Sequence, residues 1–324
     1  MPTWTRRAFA RALGAASLAA GVAALSCAKS DNPAGAPGKP RIALVMKSLA
    51  NEFFQTMEEG ARAHERAHAA EYELIANGIK DEQDVGRQVE IIEQMIAQKV
   101  DAIVLAPADS KALVSVCKKA QDAGIVVVNI DNKLDAAVLA DKKITVPFVG
   151  PDNRKGARAV GEYLAKRLKP GDKVATVDGA QTAVNGVQRK LGFEDAMKAA
   201  GVVVVSSQPA NWETAQASRV VSAMLTAEPD LKALLCGNDS MALGAVAALR
   251  EAGKSDSVLV VGFDNISAVR ELIKGGKVLA TADQRADKLA VYGVERALEM
   301  LRDKKSAPAD QETPVDLITA ERLQ

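Results

Sequence analysis

The sequence predicts an α/β protein built from parallel sheets, and three observations carry that prediction. Strand-like and helix-like segments alternate almost without interruption from Arg41 onward, the signature of βαβ units. Apolar runs rich in β-branched residues, at 125–130, 233–236 and 258–261, have the length and composition of strands buried on both faces. These three runs lead abruptly into carboxylates, Asp131, Asp239 and Asp264. Open α/β sheets hold ligands just beyond the carboxyl ends of their strands, so the acids stand where a small molecule would be held.

Taken in order, the first block opens with a strand at 42–46 and a helix at 52–67 that starts after Asn51, a good N-cap residue. A strand at 72–76 follows. The helix at 85–98 shows Val85, Val89, Ile92 and Ile96 on one stripe, the pattern of a helix packed on a sheet. Strand 102–105, helix 111–123 and strand 125–130 complete the block. Residues 131–153 carry Pro147, Gly150 and Pro151 without a long periodic segment and are expected to form loops. Alternation then resumes with helix 155–168, strand 174–178, helix 187–200, strand 202–206 and helix 214–227, and continues to Leu301. The last stretch, with Pro308 and Pro314, is expected to be a connector followed by a short strand at 315–318. Two α/β blocks of similar plan thus flank one break.

With 324 residues, 48% apolar and 26% charged, the chain has material for one large or two medium globular domains. The 42 Lys and Arg nearly balance 41 Asp and Glu, and setting aside Arg6, Arg7 and Arg11 leaves the acids in slight excess. Bulk charge therefore gives no support to nucleic-acid binding. Those three arginines precede an Ala/Leu-rich stretch at 12–25, and no acid occurs before residue 31. A basic start and a short apolar core make an export signal over residues 1–26, too short for the roughly 20 residues of a membrane-spanning helix. Its Arg6-Arg7 pair resembles a twin-arginine signal, with an Arg-rich Sec leader as the alternative. Ala24-Leu25-Ser26-Cys27 resembles a bacterial lipobox, which would acylate Cys27, although Ala24 stands where Leu is usual and ordinary signal peptidase would also accept the site. The Pro/Gly/Ala-rich segment 27–40 has the composition of a flexible tether. Cys117 and Cys236 are expected to be small buried hydrophobes, since two cysteines do not make a disulfide framework.

Catalytic and nucleotide signatures are scarce. The Gly-bounded segment 179–186 lacks the Lys and Ser/Thr of a phosphate loop, no G-x-G-x-x-G opens a helix after the first strand, and no G-x-S-x-G elbow is present. No cofactor is expected. One catalytic pattern does match: His64-Glu65-Arg66-Ala67-His68 fits the H-E-x-x-H helix of zinc hydrolases. Stepping by threes and fours from Phe54 through Met57 and Ala61 also reaches His64 and His68, and the preferred reading is that they finish a helix stripe. Around the first strand end, Lys47, Asn51, Phe53 and Phe54 concentrate a cation, an amide and two aromatics in a chain with only six Phe, two Trp and three Tyr.

The segments 42–54, Ala106-Pro-Ala-Asp-Ser110, Ser207-Gln-Pro-Ala-Asn-Trp212, 237–244 and Val260-Val-Gly-Phe-Asp264 together resemble the ribose- and allose-binding proteins of bacterial ABC uptake systems, in the same order and across residues 41–323. The resemblance implies a type I periplasmic binding protein: two doubly wound parallel-sheet lobes joined by a three-segment hinge, closing on a sugar. It implies an N-terminal lobe of 41–150 plus 285–316 and a C-terminal lobe of 151–284 plus 317–324. It also implies ligand contacts from Lys47, Asn51, Phe53, Phe54, Asp131, Asn132, Arg189, Trp212, Asn238, Asp264 and Gln284. The implied partners are a monosaccharide and the membrane permease of an ABC transporter, with the receptor a periplasmic monomer, held to a membrane only through Cys27 and not an enzyme. A role as sugar sensor for a chemoreceptor or kinase is equally open. A sugar-responsive repressor would need a helix-turn-helix where this chain has its leader.

These residue types suit a sugar, whose adjacent hydroxyls need paired acceptors and donors and whose C–H faces need flat walls. Asp131 and Asp264 accept from two hydroxyls each; Asn51, Asn238 and Gln284 both donate and accept; Lys47 and Arg189 donate; Phe53, Phe54 and Trp212 supply walls. Asp239 is expected to cap the helix that follows it. Ribose binders usually carry a small hydroxyl residue at the position of Lys47 and Arg at that of Asn132, whereas Lys47 and Trp212 look like allose-type members. A hexose such as allose is therefore favoured over ribose.

Overall fold

The computed structural model describes residues 38–303 and 309–323. The leader, Cys27 and most of the tether lie outside the described residues. Two six-stranded sheets organise the chain. The first has the order β11-β5-β4-β3-β1-β2 and the second β12-β10-β9-β8-β6-β7. Every pairing is parallel except that of β10 with β12.

In the first lobe, β1 (Arg41–Ser48), β2 (Glu73–Ile79), β3 (Ala102–Leu105), β4 (Val126–Ile130) and β5 (Phe148–Pro151) are separated by α1 (Glu52–Ala67), α2 (Val85–Ala97), α3 (Val114–Asp122) and the short α4 (Ala136–Asp141). Ile42, Ala43, Leu44, Val45 and Met46 are wholly buried because helices cover both faces of the central strands. Chain then crosses to the second lobe, where α5 (Asn153–Ala165), β6 (Lys173–Asp178), α6 (Val184–Ala199), β7 (Val203–Pro209), α7 (Thr214–Ala227), β8 (Ala233–Cys236), α8 (Asp239–Glu251), β9 (Leu259–Val261), α9 (Ser267–Lys274) and β10 (Ala280–Asp283) follow. The long α10 (Ala286–Arg302) returns to pack on β3, β4 and α1 of the first lobe. Gly60 permits that contact, since a Cβ there would sit 2.0 Å from the Asp287 carbonyl oxygen. Finally β11 (Gln311–Thr313) joins the first sheet and β12 (Asp316–Thr319) the second. The chain thus passes between lobes three times.

Several elements differ from the sequence reading for local reasons. Helix α3 starts three residues later than expected because Asp109 Oδ1 accepts from the Lys111 and Ala112 amides and holds a turn there. The region expected to be loop contains α4, capped by Asp135 Oδ1 on the Val138 amide, and the edge-side strand β5. On α2 the buried stripe is Gln88, Ile91, Ile92 and Met95, with Val85, Val89 and Ile96 on its flank. Gln88 is apt at its place: its amide donates to the Met46 and Ala106 carbonyls and accepts from the Ala108 amide, tying together the ends of β1 and β3 beneath the site. Cys117 and Cys236 are free and buried, as the sequence suggests.

Candidate functional site

A cavity lies at the carboxyl ends of the strands, and each lobe gives it six residues: Lys47, Asn51, Phe53, Phe54, Glu82 and Asp131 from the first, Asn185, Arg189, Trp212, Asn238, Asp264 and Gln284 from the second. Except for half-buried Asn51, all are at most 6% exposed. In so dry a setting every polar group needs a partner or a ligand.

The first lobe's polar cluster centres on Lys47, at the end of β1. Its ammonium lies 3.1 Å from Asp131 Oδ2 and 3.8 Å from Glu82 Oε2, and within 5.2 Å and 5.4 Å of the Phe54 and Trp212 ring centroids. Burial pulls its pKa down, but Asp131 and Glu82 outweigh that and leave it raised. Glu82 is pushed up to about 7 by burial, against the attraction of Lys47 and a hydrogen bond from Asn51 Nδ2. The second lobe's cluster centres on Arg189. Its guanidinium stacks 3.8 Å over the Phe263 ring, Nε donates to Asn153 Oδ1, and Nη1 donates to the Gly237 carbonyl at 3.0 Å and to Asp264 Oδ1 at 3.4 Å. Gln284 Nε2 donates to the same Asp264 oxygen at 2.7 Å. Burial pushes Asp264 well above the usual carboxylate range although Arg189 opposes it.

Four acceptor atoms of this lining have no hydrogen-bond partner: Glu82 Oε2, Asp131 Oδ2, Asn185 Oδ1 and Gln284 Oε1. The first two are only ion-paired with Lys47. An unmet buried acceptor costs about 1–3 kcal/mol, so Asn185 Oδ1 and Gln284 Oε1, left without any partner, and two carboxylate oxygens met only by Lys47 describe a place for a molecule that donates several hydrogen bonds. Backbone strain gathers here too. Asp131, Trp212 and Asp264 have positive φ, at 61°, 71° and 125°, where non-glycine residues cost roughly 1–3 kcal/mol, and such strain clusters at ligand clamps. Trp212 forms the second lobe's apolar wall, with Gly179 beneath it so close that a Cβ would meet the ring at 2.0 Å.

The structure brings ten of the eleven sequence-derived residues to the cavity. Asn132 is the exception and requires a correction. It is fully buried outside the cavity lining, its Nδ2 donates to the Pro107 carbonyl, and its Oδ1 accepts from Ser110 Oγ and the Asn185 amide, so its oxygen serves the protein rather than a ligand. Asn51 and Asn238 line the cavity while also capping α1 and α8. The expectation for Asp239 is corrected: Asn238 is the N-cap, and Asp239, wholly buried, accepts from Thr281 Oγ1 and the Ile266 amide instead. Sequence reasoning missed Glu82 and Asn185. Their only signal was position: Glu82 follows the end of β2, and Asn185 sits in the first turn of α6, the helix after β6.

The H-E-x-x-H pattern is absorbed by structure. His64 Nδ1 lies 2.9 Å from the Tyr72 hydroxyl, Glu65 accepts from the Leu74 amide at 2.8 Å, and His68 pairs with Glu71. The two imidazoles stack face to face with centroids 4.2 Å apart, and among the described residues no group of three or more His, Cys, Asp or Glu could hold a metal.

Comparison with known proteins agrees with this architecture. The D-ribose/D-allose-binding protein of Pseudomonas aeruginosa is 62% identical over 287 residues, 88% of this chain and 90% of its own length. The ribose import binding protein RbsB of Escherichia coli is 33% identical over 88% of this chain and 91% of its own. A periplasmic solute-binding protein of an ABC transporter from Actinobacillus succinogenes, solved with bound D-allose, superposes with a TM-score of 0.83 at 36% identity, covering 88% of this chain and 99% of that one. Residues 42–305 match the periplasmic binding protein domain. With its two α/β lobes around a polar, aromatic-walled cavity, the chain belongs to the periplasmic binding protein domain family.

Proposed function

We propose that this protein is an exported receptor that captures one monosaccharide between its lobes and delivers it to the permease of an ABC transporter. The observation that carries the reading is the set of four buried acceptors without a hydrogen-bond partner around one cavity, two of them ion-paired with Lys47 and two with no partner at all. A sugar, dense in hydroxyl donors, satisfies all of them, while Lys47 and Arg189 donate to its oxygens and Phe53, Phe54 and Trp212 cover its C–H faces. Because Lys47, Glu82 and Asp131 come from one lobe and Arg189, Asp264 and Gln284 from the other, the ligand bridges the two and its contacts favour the closed arrangement. No bond needs to break, and the protein is not an enzyme.

The lobes in this reading comprise 41–150 with 285–316 and 151–284 with 317–324, and the three crossings act as the hinge. Ligand contacts are assigned to the sequence-derived residues except Asn132, with Glu82 and Asn185 added. The sugar is an aldose of the allose type, in keeping with Lys47 and Trp212 and with the ligands named for the relatives. Residues 1–26 direct export, Cys27 carries a lipid that tethers the protein to a membrane, and the receptor works as a monomer in the periplasm.

Trp4 lies within the leader, which leaves Trp212 as the one tryptophan of the mature chain and a reporter in the site. Titration of its fluorescence with pentoses, hexoses and polyols is expected to show saturable change for one or a few sugars at micromolar concentration or below. A broad panel that alters neither emission nor melting temperature would sink the reading.

A further inference from the structure

Three helices of the second lobe, α6, α7 and α9, begin without a side-chain cap of their own, and the first lobe meets two of them. Helix α6 has Ala183 at its N-cap position and α9 has Ile266, and neither makes a side-chain capping bond. Helix starts leave amide N–H groups without intrahelical partners, and Ser, Thr, Asp or Asn is the usual remedy. Here the partners come from the first lobe. Ser110 Oγ accepts from the Val184 amide at 2.9 Å, Asn132 Oδ1 accepts from the Asn185 amide at 3.2 Å, and Glu52 Oε1 accepts from the Ser267 amide at 2.7 Å. A backbone bond from the Ser110 amide to the Thr182 carbonyl, 3.1 Å, reinforces the first of these.

We propose that these are caps supplied across the cleft: the Val184, Asn185 and Ser267 amides are satisfied only when the lobes are closed, so Glu52, Ser110 and Asn132 set the affinity for every ligand without touching any. The argument rests on the receptor reading above. None of the three lines the cavity, so they cannot read hydroxyl positions. Their bonds form on closure whatever sugar is inside, and each adds to the stability of the closed arrangement by the same amount for all sugars. Glu52 is placed to do most, because a carboxylate at a helix N-terminus also meets the positive end of the helix dipole. Asn185 links the two systems: its amide is held by Asn132 while its unpartnered Oδ1 belongs to the cavity lining. This also explains why Asn132, at a position expected to read the ligand, has turned its amide away from it.

The test compares dissociation constants of wild type, Glu52→Ala, Glu52→Gln and Asn132→Ala for at least three sugars that the wild type binds, by titration calorimetry, with circular dichroism and melting temperature as checks on folding. Glu52→Ala is expected to weaken all of them by one common factor, about fivefold, the usual size of a lost cap. Glu52→Gln keeps an acceptor oxygen and is expected to restore most of that loss. Asn132→Ala should act in the same uniform way; if this buried substitution fails to fold, Glu52→Ala alone decides. Unchanged constants in Glu52→Ala, or factors that differ more than about threefold between sugars, overturn the cross-cleft caps while leaving the receptor reading intact. A wild type that binds no sugar overturns both.

Discussion

Replacing Asp264 by Ala tests the site at its most strained point. The carboxylate is 6% exposed, takes a hydrogen bond from Gln284 at 2.7 Å and faces Arg189 at 3.4 Å. A carboxylate that accepts two sugar hydroxyls contributes two charge-assisted bonds of roughly 1.5–3 kcal/mol each, so the truncation should cost roughly 3–6 kcal/mol of binding, or roughly a hundredfold to ten-thousandfold in Kd. The fold suffers as well, because Arg189 loses its charged partner while remaining buried; breaking a buried pair from one side costs about 3–5 kcal/mol. Part of that is returned by Gly at this position, since φ of 125° strains any residue with a Cβ, and Asp264→Gly should melt above Asp264→Ala although neither binds well. Calorimetric titration of the tightest sugar supplies Kd and thermal unfolding supplies stability. An Asp264→Ala protein that is folded and binds within threefold of wild type would refute the assignment of Asp264 as a bridging acceptor.

Other consequences follow from neighbouring groups. Trp212→Ala should destabilise the chain by about 3–5 kcal/mol and remove measurable sugar binding, checked by thermal melts and calorimetry. Glu82 has a folded pKa of about 7, above the ordinary carboxylate value, so its contribution to stability is fully present below about pH 4.5 and is lost as pH rises through about 7. Asp239, also pushed up to about 7 by burial, acts in the same direction. The unliganded melting temperature should therefore fall between about pH 5 and pH 8, and Glu82→Gln should flatten part of that slope. Because hydroxyls donating to Glu82 favour its ionised form, sugar binding near pH 7 should release up to about half a proton, seen as a dependence of calorimetric enthalpy on buffer and absent in Glu82→Gln. Replacing both His64 and His68 by Ala should leave sugar affinity unchanged, as titration of the doubly substituted protein would show.

Much of the fold was legible because its signals are local. Strands such as β1, β3 and β8 are short apolar runs, and helices such as α1 announce themselves with a cap and a stripe. What escaped was set by tertiary context. Glu82 sits in Lys80-Asp81-Glu82-Gln83-Asp84, which has the composition of a solvated loop, yet it is 3% exposed while its two neighbours are exposed, and no local pattern tells which acid turns inward. Asn185 lies in the Gly-bounded segment 179–186, where nothing in the local pattern marks one amide as facing a ligand. The exchange of roles between Asn238 and Asp239 turns on a one-residue shift of a helix start, beyond what propensity resolves. Asn132 misled for a different reason: its place beyond β4 is right for a ligand, but its side chain stands outside the cavity, bonded to Ser110, Pro107 and Asn185.

The central claim is that polar clusters from opposite lobes, one presenting Asp131 and the other Asp264, hold one monosaccharide between them. A crystal structure of the protein with its tightest sugar tests it most directly. The account predicts a single sugar in the cavity, with hydroxyl oxygens roughly 2.5–3.0 Å from carboxylate oxygens of both Asp131 and Asp264 and its ring beside Trp212. A sugar seated outside this cavity, or inside it but bound by one of the two acids alone, would contradict it.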